Sequence, residues 1–191
     1  QEAAVGYTDH IKNVFIYRLS YDLHHTYYYD FSELNILDQK FNVETALRLF
    51  PHLFLEAGYR YDIFRRQHTS IANYNGNEVK IGLKHYVIKD KFYHKPSYIF
   101  HHHAYEKFKA RDPAGVSGLE NRKDNLHAFD YELGWYIRHR LLIRLHNRFG
   151  QNDSNDRFKN FHDYSYYVFT PVISWHLTGK WLLAGGAHYQ F

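Results

Sequence analysis

The 191-residue sequence contains no cysteine and no methionine. Without a thiol there is no disulfide framework, no thiolate metal site, no thiol nucleophile and no lipidated N-terminal Cys. The missing methionine implies that the initiator is gone, so Gln1 is expected to be a mature end left by signal cleavage, with an artificial edge as the plainer alternative. Long apolar runs are missing too. None approaches the ~18 consecutive residues that a membrane-crossing helix needs, which excludes a helical membrane protein.

What is present is an unusual combination. Tyr (19) and Phe (15) are abundant and aromatics make up 19% of the chain, yet the mean hydropathy is negative. So many aromatic residues exclude a disordered chain. A transmembrane β-barrel reconciles the two facts, because only alternate residues of each strand meet lipid. The formal charge of +4 and pI near 9.0 raise the question of nucleic acid. That partner is set aside, because Lys and Arg are scattered along the strands rather than gathered in one patch.

Alternation dominates the chain. Phe15, Tyr17, Leu19, Tyr21, Leu23, His25, Tyr27, Tyr29 and Phe31 alternate with a series that includes Arg18, Ser20, Asp22, His24, Thr26 and Asp30. Successive side chains of a strand point to opposite faces, so one face is aromatic and the other polar. The same pattern recurs at 41–49, 53–63, 79–87, 129–137, 141–148 and 167–176. Such runs exceed the roughly five or six residues of ordinary strands and match the nine to eleven of a tilted membrane strand. Between Phe92 and Phe108 the pattern is less regular, and Pro96 predicts a bulge or weak pairing there.

Connections alternate in length. Short ones fall at Pro51-His52, Lys89-Asp90-Lys91, Arg138-His139-Arg140 and Thr178-Gly179-Lys180, and long polar ones at Ser70–Asn77, Arg111–Asp124 and Gln151–His162. This is the pattern of outer-membrane barrels, whose long loops face outward. No helical periodicity, linker or longer repeat interrupts it. About nine strands with four or five large side chains each would put roughly forty on one face, more than a barrel of that size can enclose. The aromatic face must therefore point outward, which argues against a soluble barrel with an apolar interior.

The expectation is a single domain over 1–191: an all-β, antiparallel, up-and-down transmembrane barrel of about 8–10 strands. Residues 1–12 form either an N-terminal extension or a short first strand. Because lipid offers no hydrogen bonds, the sheet is expected to close. Tyr17, Tyr59, Leu133, Trp135, Phe169 and Leu183 fall on the lipid side. Arg18, Arg48, Arg60, Arg66, Lys80, Lys84, Arg144 and Arg148 fall on the lumen side, with Asp22, Glu44, Glu56, Asp62, Asp130 and Glu132 opposing them. Opposite charges in a lumen seek partners, so most carboxylates are expected beside an Arg, with any basic surplus near one mouth. A surplus of this sign is similar in style to small sugar-acid channels, which would imply anionic solutes moving along Arg ladders.

The last residues carry a more specific likeness. Gly186, Tyr189 and Phe191 resemble the C-terminal signal of bacterial outer-membrane β-barrel proteins: a Gly, then an aromatic or apolar residue at the antepenultimate position, and a final Phe. The resemblance implies residence in the bacterial outer membrane, with the lipid bilayer, the barrel assembly machinery and other envelope proteins as partners. A count of nine conflicts with the even strand numbers of single-chain bacterial barrels. With short turns periplasmic, it would also leave Phe191 on the wrong side. Ala3 to Thr8 is the candidate for an extra strand.

Catalytic patterns are weak. Ser97, Ser165 and Ser174 lie in no nucleophile motif, and Ser174 shares a face with His176 without an orienting acid. There is no phosphate-binding Gly loop and no nucleophile elbow. His101 and His103 share a face, and His146, His176 and His188 fall on inward positions, but without a recognised ligand spacing. No enzyme activity, metal or cofactor is therefore expected. The function expected is a small porin-like channel or transport-assembly component with a net basic lumen. The alternatives are a salt-bridged, closed barrel that docks partners and, third, a lipid-modifying enzyme.

Overall fold

The computed structural model describes residues 2–12, 14–27, 35–66, 73–137, 140–176 and 182–191, the side chains of 176 and 182 excepted. The sequence readings for Tyr29, Asp30, Phe31, Arg138, His139, residues 70–72 and 178–180, and the His176 side chain lie outside this set.

The described residues form one antiparallel meander. Its strands are β1 (Glu2–Ile11), β2 (Phe15–Thr26), β3 (Ile36–Phe50), β4 (Leu53–Arg66), β5 (Tyr74–Ile88), β6 (Phe92–Arg111), β7 (Ser117–Ile137), β8 (Leu141–Ser154), β9 (Tyr164–His176), β10 (Leu182–Gly186) and β11 (Tyr189–Gln190). Each strand from β1 to β9 pairs with the next in sequence, and β11 also pairs with β9. The extra strand foreseen at Ala3–Thr8 is present inside β1. β10 and β11 are one strand in one register, since Gly186 faces Val172 and Tyr189 faces Phe169. The break falls where Ala187 donates to the Pro171 carbonyl at 3.2 Å. Pro171 has no N–H with which to return the bond. Counted this way the strands number ten, an even count.

Pro96 acts similarly but more gently than a bulge. The β6–β7 ladder passes through it in register with Tyr131. On the other side the β5–β6 ladder skips Leu83 and Lys84, opposite Pro96 and Lys95, and resumes without a shift. The register breaks of β6 lie instead at its two ends: with β7 between Ala104 and Arg111, where the β6–β7 hairpin outruns its neighbours, and with β5 at Phe92–Tyr93.

Two expectations need correction. No ladder joins β1 to β10 or β11 among the described residues, so the sheet is open where closure was foreseen. Both outer edges therefore keep a row of unpaired backbone groups, and β1 is exposed along nearly its whole length. The even count also leaves the sidedness unchanged. β10 runs from the short-turn end toward the long connections, so Phe191 finishes opposite Tyr167, beside the long β8–β9 connection.

The sheet has two unlike faces. The buried strand residues share one face, and most are polar: Asp62, Ser97, His101, Arg122, Asp124, Asp130, Asn152, Ser154 and Ser174, against only Tyr93, Ile99, Ala128 and Val168. The other face exposes Phe41, Tyr59, Val79, Ile81, Phe129, Trp135, Phe149 and Ile173, each by more than two-fifths. A soluble domain buries its apolar face and wets its polar one. Here the arrangement is inverted.

Candidate functional site

The buried polar face is the candidate site, and strand register explains which side chains meet there. Residues directly opposite on neighbouring strands share a face, so Gly82, Ser97, Asp130 and Arg148 form one row across β5 to β8. Small residues at 82 and 97 leave room for Lys80 to reach over β6. Asp130, only 2% exposed, becomes a node. It accepts from Arg148 Nε at 2.6 Å and lies 3.5 Å from Lys80 Nζ and 3.2 Å from His146 Nε2. Two cations, Arg148 and Lys80, on one buried carboxylate offset its desolvation better than one would.

Nearer the long connections, Arg60 forms a second node. Its Nε lies 3.0 Å from Asp62 and its Nη2 donates to Glu78 at 2.9 Å. His101 stands beside both acids, 3.2 Å from Asp62 and 3.8 Å from Glu78. Near β1, Arg18 and Glu44 face each other at 3.6 Å, both well exposed, and Asp22 accepts from Asn42 at 2.9 Å.

The third group lies toward the short turns, and cations dominate it. Glu56 pairs with Lys95 at 3.3 Å, and Glu132 accepts from the Tyr93 hydroxyl at 2.6 Å. Neither acid takes an Arg, contrary to expectation: Lys95 of β6 reaches Glu56 across β5, and Tyr93, paired with Gly134, reaches Glu132 two residues along β7. Among the described residues Lys84 has aromatic company alone, 4.2 Å above the Tyr93 ring and 5.1 Å from that of Tyr86. Arg48 donates to the Pro51 carbonyl at 3.3 Å. Arg144 holds a buried Nε that finds no partner among the described residues, and Arg66, at the opposite end, does the same. Beside this group, Arg18, Glu44, Glu56, Lys80 and Lys95 line a cavity of about 300 Å³.

The residues assigned to lipid share the opposite face. Trp135 and Leu183 are more than half exposed, Tyr17 and Leu133 are half-buried, Tyr59 donates to Asn77 at 2.6 Å and Phe169 stacks on Tyr189. Tyr189 and Phe191 of the terminal signal lie there too, while Gly186 is close-packed, with the Pro171 carbonyl 2.6 Å from where a Cβ would stand. Sequence reasoning missed Glu78, Lys95 and Tyr93. Lys95 and Tyr93 lie in the irregular stretch around Pro96, where parity is hard to follow. Glu78 precedes the apolar residues from which the parity of β5 was read.

The fold has a known counterpart. The chain superposes on the NanC porin with a TM-score of 0.56 at 13% identity, over 99% of this chain and 79% of that one. Against the copper transporter OprC the TM-score is 0.43 at 9% identity, covering 99% of this chain and 37% of the transporter, too distant to bear on the fold. No protein-family model and no curated protein sequence matches. The molecule thus has the antiparallel, up-and-down fold of a porin-type β-barrel.

Proposed function

We propose that the chain spans a bacterial outer membrane as a porin-like barrel, with its polar face lining a net basic lumen that passes small anionic solutes. The observation that carries this is the inversion of the sheet: acids and bases are buried, and Trp135, Phe129 and Val79 are exposed. An apolar surface of that extent needs a lipid solvent. The anion preference rests on Arg48, Lys84 and Arg144, which gather near the short turns with no carboxylate partner among the described residues. No enzyme activity, cofactor or nucleic acid enters this reading.

The bilayer and the barrel assembly machinery are the proposed partners. Gly186, Tyr189 and Phe191 would serve as the assembly signal, supported by their place on a terminal strand whose outer edge is free to add another strand. The ion-paired nodes at Asp130 and Arg60 favour a second reading, a closed scaffold that docks other envelope proteins. Single-channel recording in planar bilayers separates the two. The expected result is a conducting pore that prefers anions, with the preference lowered roughly threefold when Arg48, Lys84 and Arg144 are all changed to Gln. Absence of conductance supports the scaffold, and a cation preference overturns both.

A further inference from the structure

One cluster on the buried face is explained by neither charge balance nor pore lining. His101 and His103 are two residues apart on β6 and so point to the same side. Asp62 reaches the same place from β4, although β5 lies between. The β5 residue in that row is Gly76, opposite Asp62 on one side and His103 on the other. A Cβ there would stand 2.8 Å from His101 Nε2, 3.1 Å from His103 Cδ2 and 3.3 Å from Asp62 Cβ. The absent side chain lets two imidazoles and a carboxylate converge from strands two apart. One donor atom of each lies within 4.8 Å of the others.

These donors are buried and short of partners. Asp62 is 3% and His101 7% exposed. Nε2 of His101, Nε2 of His103 and Oδ1 of Asp62 make no hydrogen bond among the described residues, although Oδ1 lies 3.0 Å from Arg60 Nε and His101 Nε2 lies 3.2 Å from Asp62 Oδ2. Buried polar atoms are seldom left without a hydrogen bond, and one cation taking all three lone pairs would satisfy them together.

We propose that Asp62, His101 and His103 form a binding site for a divalent transition-metal ion of the copper–zinc class. Imidazole nitrogens select such ions, whereas calcium and magnesium prefer cages of oxygen alone. Bonds of about 2.0–2.2 Å place tetrahedral ligands roughly 3.3 Å apart, so small side-chain rotations bring the three donors into range. Three protein ligands leave at least one position open to solvent or solute. Glu78, 3.8 Å from His101 Nδ1, would accept a hydrogen bond from that N–H after a small approach and so fix the imidazole. Arg60 touches both acids, so two carboxylates still outweigh one guanidinium when the ion enters. The Tyr74 ring, 4.4 Å from that of His103, covers the side toward the long connections. This replaces the expectation of no metal, which rested on the lack of a recognised ligand spacing among the histidines. The third ligand comes from another strand, and a glycine makes the gap.

The site does not depend on the channel reading, because it can be tested in detergent without conductance. The full chain, stripped of metal, is titrated calorimetrically with Cu²⁺ and Zn²⁺, and the Cu²⁺ form is examined by electron paramagnetic resonance. One tight equivalent is expected, with nitrogen coupling from two imidazoles, and none with Mg²⁺ or Ca²⁺. His101→Gln and His103→Gln should each remove one nitrogen coupling and weaken binding at least tenfold. Glu78→Gln should weaken it about 10–100-fold. Gly76→Ala keeps every ligand and should weaken binding through the rings alone. His102→Gln, on the opposite face, controls for the other histidines and should leave the tight equivalent intact. The proposal is overturned if the unaltered chain shows no tight equivalent, if binding survives both His101→Gln and His103→Gln, or if the spectrum lacks nitrogen coupling.

Discussion

Tyr93 lies across Gly134 of β7, and Tyr166 lies across Gly150 of β8. In both pairs an aromatic ring occupies the space that the partner's side chain would fill. Gly134→Ala would drive a methyl into the Tyr93 ring, an overpacking that costs about 1–3 kcal/mol. Gly185 has nothing within 4 Å, so Gly185→Ala should be near neutral. Urea unfolding of both variants in vesicles checks this, and equal midpoints would mean that the ring is not seated over Gly134. Alternation in the sequence places Gly134 on the polar face but cannot reveal the ring above it. Periodicity encodes which face a residue takes, not which rotamer its neighbour adopts. The same limit hid the Tyr93–Glu132 bond and the meeting of Asp62 with two histidines. Both depend on pairs in different strands, and single-strand patterns say nothing of cross-strand register.

At the scale of elements, the sequence is most legible where strands are long and regular. β4 and β8 begin where the alternation puts them, and the weak pairing read from Pro96 falls where it was expected, whereas β7 starts at Ser117, inside the stretch read as a long connection. The overhanging β6–β7 hairpin is less legible, because the connection from β8 to β9 folds onto it. Asp156, wholly buried, accepts from Arg111 at 2.9 Å and from the Phe158 backbone N–H at 3.2 Å. Burial alone would raise the Asp156 carboxyl. The Arg111 and Phe158 hydrogen bonds and the nearby cations instead hold it below its ordinary 3.8. Burial, then the Arg122 charge, pushes His162 below 6.5. Both groups thus bind fewer protons folded than unfolded, so docking of this connection must weaken as pH falls. The His162 contribution should fade first, from about pH 6.5 downward, and the Asp156 contribution below about pH 4. Hydrogen exchange across 155–163 between pH 8 and 4 should show protection declining with acid, and His162→Gln should abolish the first part of the decline. Protection that rises with acid would contradict the assignment.

For the whole molecule the decisive feature is the pair of free edges. In lipid each unpaired backbone group costs several kcal/mol, so a membrane-embedded form of this sheet must find partners for β1 and β10. β1 runs toward the short turns and β10 away from them, which makes the two natural antiparallel neighbours. Neighbouring strands bring Cα atoms to about 4.5–5.5 Å, within disulfide range. The chain has no cysteine, so engineered pairs carry no background. Tyr7, on the apolar face of β1, is changed to Cys and combined in turn with Leu183→Cys, Gly185→Cys and Ala187→Cys on the same face of the last strand. If the barrel closes on itself, one combination should oxidise within a single chain in vesicles, and its neighbours in register should oxidise poorly. That result would convert the open meander into a closed ten-stranded barrel and fix its register. Cross-links found only between chains would mean that a second copy supplies the missing edge. Failure of every combination would mean that β1 and β10 are not neighbours in the membrane. Either outcome would remove self-closure, and with it a lumen enclosed by this chain alone.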